Sequence, residues 1–379
     1  GGGLQGEGKL MAAVKAFFKK GPVLVVSGAL AFLSVFFVPP SAAYLSYIDF
    51  RTLGILFCLM AAVAGLSGAG VFDAMARVLS QKAGTVRRLS LLLVLAAFGL
   101  SMFITNDVAL ITFVPLTILM LREAGQRALI ITVVMETVGA NLGSALTPFG
   151  NPQNLYLYSR YGMGMGEFLS ITGPLCLIGL LLTAGGVLVF RLPAQNIAPK
   201  GGEAVFDRRK ALFYGALFIL SLLAVFRAIP WQLALAVVAA ALALADREIF
   251  KRVDYSLLVT FVFFFILVGN LGSIPAVEGW VSGLLKGREL LVSALVSQFI
   301  SNVPAALMLS GFTDNWQGLL AGTNIGGLGT LIASMASLIS FRLYAKSEGA
   351  KAGKYFAVFT AWNFAYLLVM LAAGLLLWR

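Results

Sequence analysis

Apolar runs follow one another from residue 22 almost to the end of the chain: 22–38, 52–71, 88–121, 128–158, 168–190, 211–227, 230–246, 254–273, 289–312, 317–341 and 355–378. An uninterrupted run of roughly twenty such residues predicts a helix that crosses the ~30 Å hydrocarbon layer of a bilayer. Two runs are cut by short polar tips, ITND at 104–107 and SNVP at 301–304. The second tip leaves arms 289–300 and 303–312. At about 1.5 Å per residue each arm reaches roughly half the layer, which predicts a re-entrant hairpin that returns to its own side. Two other runs carry helix breakers and amides, 139-GANLGSALTPFGNPQNL-155 and 322-GTNIGGLGTLI-332. An unpaired backbone group facing lipid costs several kcal/mol, so such stretches are expected only where they line a polar pocket.

The two halves of the chain echo each other. Gly139, Asn141 and Gly143 recur 183 positions later as Gly322, Asn324 and Gly326. FITN at 103–106 answers FISN at 299–302, and IDF at 48–50 answers VDY at 253–255. Both halves read span, span, hairpin, broken span, span, and one extra span separates them, so the parity of crossings inverts the second half. The expected fold is an all-α polytopic membrane protein with an inverted repeat, about nine transmembrane helices, two re-entrant hairpins and helices broken at the midplane. Residues 1–20 read as a flexible leader and basic interfacial helix, and 21–191 as repeat 1 (hairpin 88–121, broken helix 128–158). Residues 192–229 read as a linker with one helix, and 230–379 as repeat 2 (hairpin 289–312, broken helix 317–341). Interrupted helices meeting at the midplane of inverted repeats are how secondary transporters hold substrate.

Composition narrows the classes further. The chain is 60% hydrophobic and 12% charged, with mean hydropathy +0.93, which excludes a soluble globular protein. A net charge of +12 would point to nucleic acid in a soluble protein, but the positive-inside rule accounts for it, and no nucleic-acid partner is expected. With the N-terminus cytoplasmic and the C-terminus outside, 22 of the 28 Lys and Arg fall inside. The absence of His and the presence of only Cys58 and Cys176 exclude imidazole relays, His-based zinc or haem sites and a disulfide framework. No enzyme is expected. An intramembrane hydrolase working through paired Asp needs a second midplane acid, and Val303 stands opposite Asp107. A channel could use the same ligands.

The candidate site residues lie on the tips and breaks. Thr105, Asn106 and Asp107 open a half-helix at one tip, and Ser301 and Asn302 do so at the other, where hydroxyls, amides and free N–H groups cap helices or hold ions. Asn141, Gly143, Ser144, Thr147, Asn151, Thr323, Asn324 and Gly326 fall in or beside the breaks. Unwound carbonyls there suit Na⁺, expected at Thr105, Asn106, Asn141, Ser301, Asn302 and Asn324, and half-helix N-termini suit an anion. Asp107 and Glu136 are the acids set deepest and so are candidate proton carriers or cation ligands. Asp49, Asp73, Asp254 and Glu278 read as interfacial. No Lys or Arg is expected near the midplane. The run Thr147–Asn154 reads as lacking a counterpart in the second half, an asymmetry suited to substrate selection.

The strings FITNDVALITFVPLTILM, GANLGSALTPFGNPQNL, FISNVPAALM and GTNIGGLGTLIASMASLI resemble the ion transporter superfamily. They are closest to its arsenite-permease and NhaD-type branch, which includes short YbiR-like bacterial permeases. The related divalent anion/sodium symporters place Ser-Asn-Thr at both tips, where Na⁺ binds beside a carboxylate substrate. Here the tips are Thr105-Asn106-Asp107 and Ser301-Asn302-Val303, and the Asn-Asp pair is similar to the arsenite permeases. The resemblance implies a homodimer in a bacterial inner membrane, working by an elevator motion and moving a small, arsenite-like or other inorganic anion with H⁺ or Na⁺. A Na⁺/H⁺ antiporter and a sodium-coupled di- or tricarboxylate transporter are the alternatives it leaves. No cofactor beyond the coupling ion is implied.

Overall fold

The computed structural model describes residues 22–81, 83–193, 195 and 206–378, so the leader and interfacial helix expected at 1–20 lie outside the described residues. Repeat 1 comprises α1 (Pro22–Val35), α2 (Ala43–Tyr47), α3 (Phe50–Gly68), α4 (Val71–Gln81), α5 (Val86–Ser101), α6 (Asn106–Leu121), α7 (Gln126–Gly143), α8 (Pro152–Arg160) and α9 (Met165–Val189). After α10 (Arg208–Val225), repeat 2 comprises α11 (Trp231–Ala245), α12 (Tyr255–Gly272), α13 (Pro275–Leu285), α14 (Glu289–Ile300), α15 (Asn302–Leu309), α16 (Trp316–Ile325), α17 (Met335–Ala345) and α18 (Ala352–Leu377). The fold is all helical, with no β-strand among the described residues. The orders α3–α9 and α12–α18 correspond element by element.

Several boundaries differ from the sequence expectation. The broken helices extend over 126–160 and 316–345, beyond 128–158 and 317–341, and the second arm of the later hairpin stops at Leu309. The apolar runs 52–71 and 254–273 each end in a tight turn, followed by a short second helix that hydropathy runs alone did not mark, α4 or α13. Among the described residues, five stretches are long and apolar enough to cross a bilayer: α3, Gln126–Leu146, α9, α12 and α18. Their burial differs sharply. The window in Gln126–Leu146 is 94% buried and that in α18 is 28% buried, so the first broken span is enclosed by protein while α18 shows much of its surface outward. Large exposed side chains such as Phe36 on the α1–α2 connection, Leu244 on α11 and Phe299 on α14 form the outward apolar surface that lipid tails cover.

Each hairpin's first arm packs closely on its broken helix, and glycines set the distance. A Cβ at Gly143 would stand 2.2 Å from the Phe98 carbonyl oxygen, and one at Gly326 would stand 2.9 Å from Ala294 Cα. One turn earlier, a Cβ at Gly139 would lie 3.3 Å from the Val94 oxygen, and one at Gly322 would lie 2.4 Å from the Leu290 oxygen. The pairs share two offsets, 183 for the glycines and 196 for the arm. Small residues at a helix crossing let two backbones meet where no hydrophobic force drives association in lipid. Gly143 and Gly326, expected to bring backbone to a ligand, are therefore turned toward the hairpin arm.

Helix starts follow the repeat as well. Asp49 Oδ1 accepts from the Thr52 N–H (3.0 Å) and Asp254 Oδ1 from the Leu257 N–H (3.1 Å), capping α3 and α12. The tips differ in one respect. Thr105 is extended at φ −64°, whereas Ser301 sits at φ +75°, where a β-branched side chain is strained. Ser301→Thr is expected to cost about 1–3 kcal/mol, while Ser301→Gly keeps or raises stability. Thermal unfolding in detergent checks the pair, and equal midpoints would refute the strain.

Candidate functional site

Both tips are tied to the far side of their own break. The Asn106 N–H donates to the Gly150 oxygen (3.3 Å) and the Asn302 N–H to the Ala333 oxygen (2.9 Å). Thr147 Oγ1 donates to the Met102 oxygen (2.5 Å) and Thr330 Oγ1 to the Gln298 oxygen (2.8 Å). Every partner in the second half is the first-half residue advanced by 196 on the hairpin and by 183 on the broken helix.

Across the halves the bonds are reciprocal. Asn141 Oδ1 accepts from Ser334 Oγ (2.9 Å), and Asn324 Oδ1 accepts from Asn151 Nδ2 (3.3 Å). Asn141 Nδ2 donates to Ser337 Oγ (3.3 Å), and Asn324 Nδ2 donates to Asn154 Oδ1 (2.7 Å). Asn151 and Ser334 are 183 apart, as are Asn154 and Ser337. At the outer ends of the second limbs, Tyr161 Oη donates to the Thr313 oxygen (2.8 Å) and Tyr344 Oη to Gln126 Oε1 (2.7 Å), again 183 apart. The run Thr147–Asn154 thus has a counterpart after all, Thr330–Ser337. Serine hydroxyls replace asparagine amides there, which hid the match from a comparison of residue types.

The four tip and break asparagines form one cluster. Asn106 Nδ2 donates to Asn141 Oδ1 (3.0 Å), and Asn141 Nδ2 also donates to the Gly327 oxygen (3.3 Å). A Cβ at Gly327 would stand 2.9 Å from Asn302 Nδ2 and 3.4 Å from the Asn324 oxygen. In this state the side-chain oxygens of Asn141 and Asn324 are engaged by protein donors, so these residues join the halves. Ser144 Oγ donates to the Asn141 oxygen (3.0 Å) and accepts from Asn151 Nδ2 (3.3 Å). Thr323 Oγ1 turns back to the Leu319 oxygen (2.8 Å), while the Thr323 carbonyl receives Gln153 Nε2 (3.3 Å). Removing one amide strands buried partners, at about 1–3 kcal/mol for each group left unpaired. Asn324→Ala, which strands Asn154 Oδ1 and leaves Asn151 Nδ2 with Ser144 alone, is expected to lower stability by that order. Asn324→Ala combined with Asn154→Ala should show non-additivity in the same unfolding assay.

Beside this cluster lies a cavity of about 450 Å³. Thr105, Asp107 and Asn151 reach it from the first tip and break, and Ser67, Arg252 and Asp254 from α3 and the α11–α12 connection. Its remaining lining is apolar, with Phe103, Phe149 and Phe218 among the larger side chains. Asp107 and Asp254 interact electrostatically. Asp254, expected at the interface, is therefore a cavity residue, and so is Arg252, although no cation was expected near the site. Arg252 occupies the place that Tyr47 holds in repeat 1, 205 positions earlier. Tyr47 lies over Gly269 of α12, where a Cβ would meet its ring at 2.3 Å, and Arg252 lies over Gly68 of α3, where a Cβ would meet its guanidinium at 2.6 Å. The repeat is broken at this position, and the break puts a positive charge on the cavity wall. The adjacent VDY echo was the signal that could have found it. Glu136, Ser301, Asn302 and Thr323 do not line the cavity.

An all-helical body with an outward apolar surface, a repeat that locks on itself and a pocket at its broken helices defines an integral membrane protein built around a buried polar centre. The sequence profile of the citrate transporter (CitMHS) family matches residues 13–315, and the chain belongs to that family of membrane transporters. It is 35% identical over 317 residues to the inner membrane protein YbiR of Escherichia coli, covering 81% of this chain and 84% of that protein. It is 32% identical over 337 residues to the uncharacterized transporter MJ0456 of Methanocaldococcus jannaschii, covering 87% and 91%. Among solved structures, the YdaH transporter of Alcanivorax borkumensis, described as having an unusual topology, superposes with a TM-score of 0.52 at 16% identity over 88% of this chain and 86% of that one. That likeness is one of fold.

Proposed function

We propose that this chain is a secondary active transporter of a small anion, driven by an H⁺ or Na⁺ gradient, and that the 450 Å³ cavity receives the substrate. The observation that carries the reading is the lining itself. One guanidinium, Arg252, faces the same space as the Thr105 hydroxyl and the Asn151 amide. A mostly apolar pocket with a few converging polar groups is how small-molecule sites are built. Citrate, the substrate in the family's name, and an arsenite-like oxyanion, suggested by the Asn-Asp tip, are both small enough for such a space. Asp107 in the lining serves as a ligand for a coupling cation or as the hydrogen-bond acceptor for a protonated substrate.

The packing favours a sliding motion of one body on another. The hairpins and broken helices of both halves share the polar bonds described above. They meet α10 and α12 through rings, Phe149 against Phe218 and Phe226, and Tyr156 against Phe261 and Phe265. These ring contacts can shear, and the Arg227 bonds to the Gly162 and Tyr158 oxygens at the edge of the same interface would have to be exchanged in an elevator motion. In this reading the hairpins are re-entrant, nine helices cross, the N-terminus is cytoplasmic and the C-terminus outside in a bacterial inner membrane, and the protein works as a homodimer.

Purified protein in lipid vesicles, loaded with unlabelled citrate or arsenite and offered the labelled form, tests the proposal. Saturable counterflow together with uphill uptake under an imposed H⁺ or Na⁺ gradient is the expected result. Absence of both for every anion in the panel would overturn it. A second reading, Na⁺/H⁺ exchange, draws on the two cavity carboxylates, Asp107 and Asp254. It requires gradient-driven Na⁺ flux without any anion and abolition of that flux by Asp107→Asn.

A further inference from the structure

Glu136 lies outside the cavity and is fully buried. It sits on α7, five residues before Asn141, at the junction of α6, α7 and α18. Thr117 Oγ1 of α6 donates to its Oε1 at 2.5 Å, and its Oε2 has no hydrogen-bond partner among the described residues. Tyr355 of α18, whose buried hydroxyl lies beside Thr137, is its electrostatic neighbour. Tyr344 of α17 stacks on Tyr355 with ring centroids 4.8 Å apart. Where α9 meets this part of α7 it presents Gly186 to Met135 and Thr183 to Gly139, and the buried polar pair facing α5 is Ser90 with Thr132. No Lys or Arg interacts with Glu136 among the described residues.

An ionised carboxylate in such a place would face the full cost of removing charge from water, with one hydroxyl as its compensation. A neutral carboxylic acid avoids that cost and carries a hydrogen on the oxygen that lacks a donor. The repeat makes this position distinctive, because the residue 183 places on is Leu319, which is equally buried and apolar. A structural role common to both halves is met by leucine, so the acid serves something that only the first half does.

We propose that Glu136 is a proton-binding site separate from the substrate cavity, loaded in this conformation and discharged when the transport motion opens its surroundings to water. The step is a simple transfer. The carboxylic O–H bond breaks, its electron pair stays on the oxygen, and the proton leaves on water. Thr117 positions the group and would keep its hydrogen bond in both states. The inference rests on the transporter reading and assigns its coupling ion as H⁺.

Two measurements test it with the intact protein in lipid. The first needs no substrate: infrared difference spectra of wild type and Glu136→Gln at neutral pH. A carbonyl band of a protonated acid, missing in the variant, is expected, and an absence of any such difference would overturn the proposal. The second uses labelled citrate and arsenite with a pH dye inside the vesicles. Glu136→Gln, nearly isosteric with the neutral acid, should keep counterflow while losing at least tenfold of proton-driven accumulation and its dependence on pH. Glu136→Asp should restore part of both. Wild-type accumulation by Glu136→Gln, or wild-type flux driven by Na⁺ with no proton movement, would overturn the assignment. Should wild type carry neither anion, the transport reading fails while the spectra still decide on the proton. Should Glu136→Gln fail to fold, Thr117→Val, with the carboxyl intact, must still show the band and a shifted pH profile.

Discussion

Replacing Arg252 with alanine is expected to raise the KM for anion uptake by roughly 10- to 100-fold with much less change in kcat. A hydrogen bond to a charged partner is worth about 1.5–3 kcal/mol, and each 1.4 kcal/mol is a factor of ten in affinity. The guanidinium is solvent-exposed at the wall of a mostly apolar cavity, so salt will screen part of the effect, and the ratio should shrink as ionic strength rises. Arg252→Lys keeps the charge but not the planar fork that matches a carboxylate or oxyanion, and should fall between the two. Folding should be nearly untouched, because the side chain is exposed and lies over Gly68 without filling a core. Initial rates of labelled citrate and arsenite uptake at two salt concentrations give the answer. An unchanged KM for both would remove Arg252 from the site and weaken the anion reading with it.

Gly322→Ala is expected to be among the most damaging single methyls in the protein. The added carbon would lie 2.0 Å from Ser293 Oγ, 2.4 Å from the Leu290 oxygen and 2.9 Å from Leu290 Cα. Ser293 could turn aside, but the Leu290 backbone belongs to α14 and cannot move without lifting the arm off α16. Overpacking of this kind costs about 1–3 kcal/mol, and more when the obstacle is backbone. Gly143→Ala, aimed at the Phe98 oxygen, should behave alike in the other half. Gly215→Ala and Gly185→Ala make good controls, since a Cβ at either meets nothing within 4 Å. There alanine should be neutral or stabilising, by up to about 1 kcal/mol from helix propensity. Unfolding midpoints in detergent compare the four. Equal midpoints would show that the helix crossing is looser than its geometry.

Much of this architecture was legible because it rests on local pattern. The polar tips at 104–107 and 301–304 interrupt apolar runs, and the Gly-x-Asn-x-Gly echo marks both breaks. What stayed hidden depends on partners far away in the chain. Asn141 meets Ser334 and Ser337 across more than 190 positions, and Asn-to-Ser replacement keeps a hydrogen-bonding group while erasing the visible match. The short helices α4 and α13 lie just past the apolar runs 52–71 and 254–273, in connections with no apolar run of spanning length to mark a helix. Glycines were credited to a ligand when their neighbour was another helix, a distinction that requires distances. Arg252 looked like one more basic residue of a polar loop, since only the folded chain brings that loop over Gly68.

The exchange of partners between halves also has a consequence for biogenesis. A ribosome releases repeat 1 into the membrane before Ser334, Ser337 and Gly327 exist, so Asn141 must wait in the bilayer with Asn106 on its oxygen and no acceptor for its amide N–H groups. The early half has to shelter its amide with borrowed water or translocon contacts. Assembly therefore closes late and in order, first when Asn324 of α16 meets Asn151 and Asn154, then when Ser334 and Ser337 at the start of α17 reach Asn141.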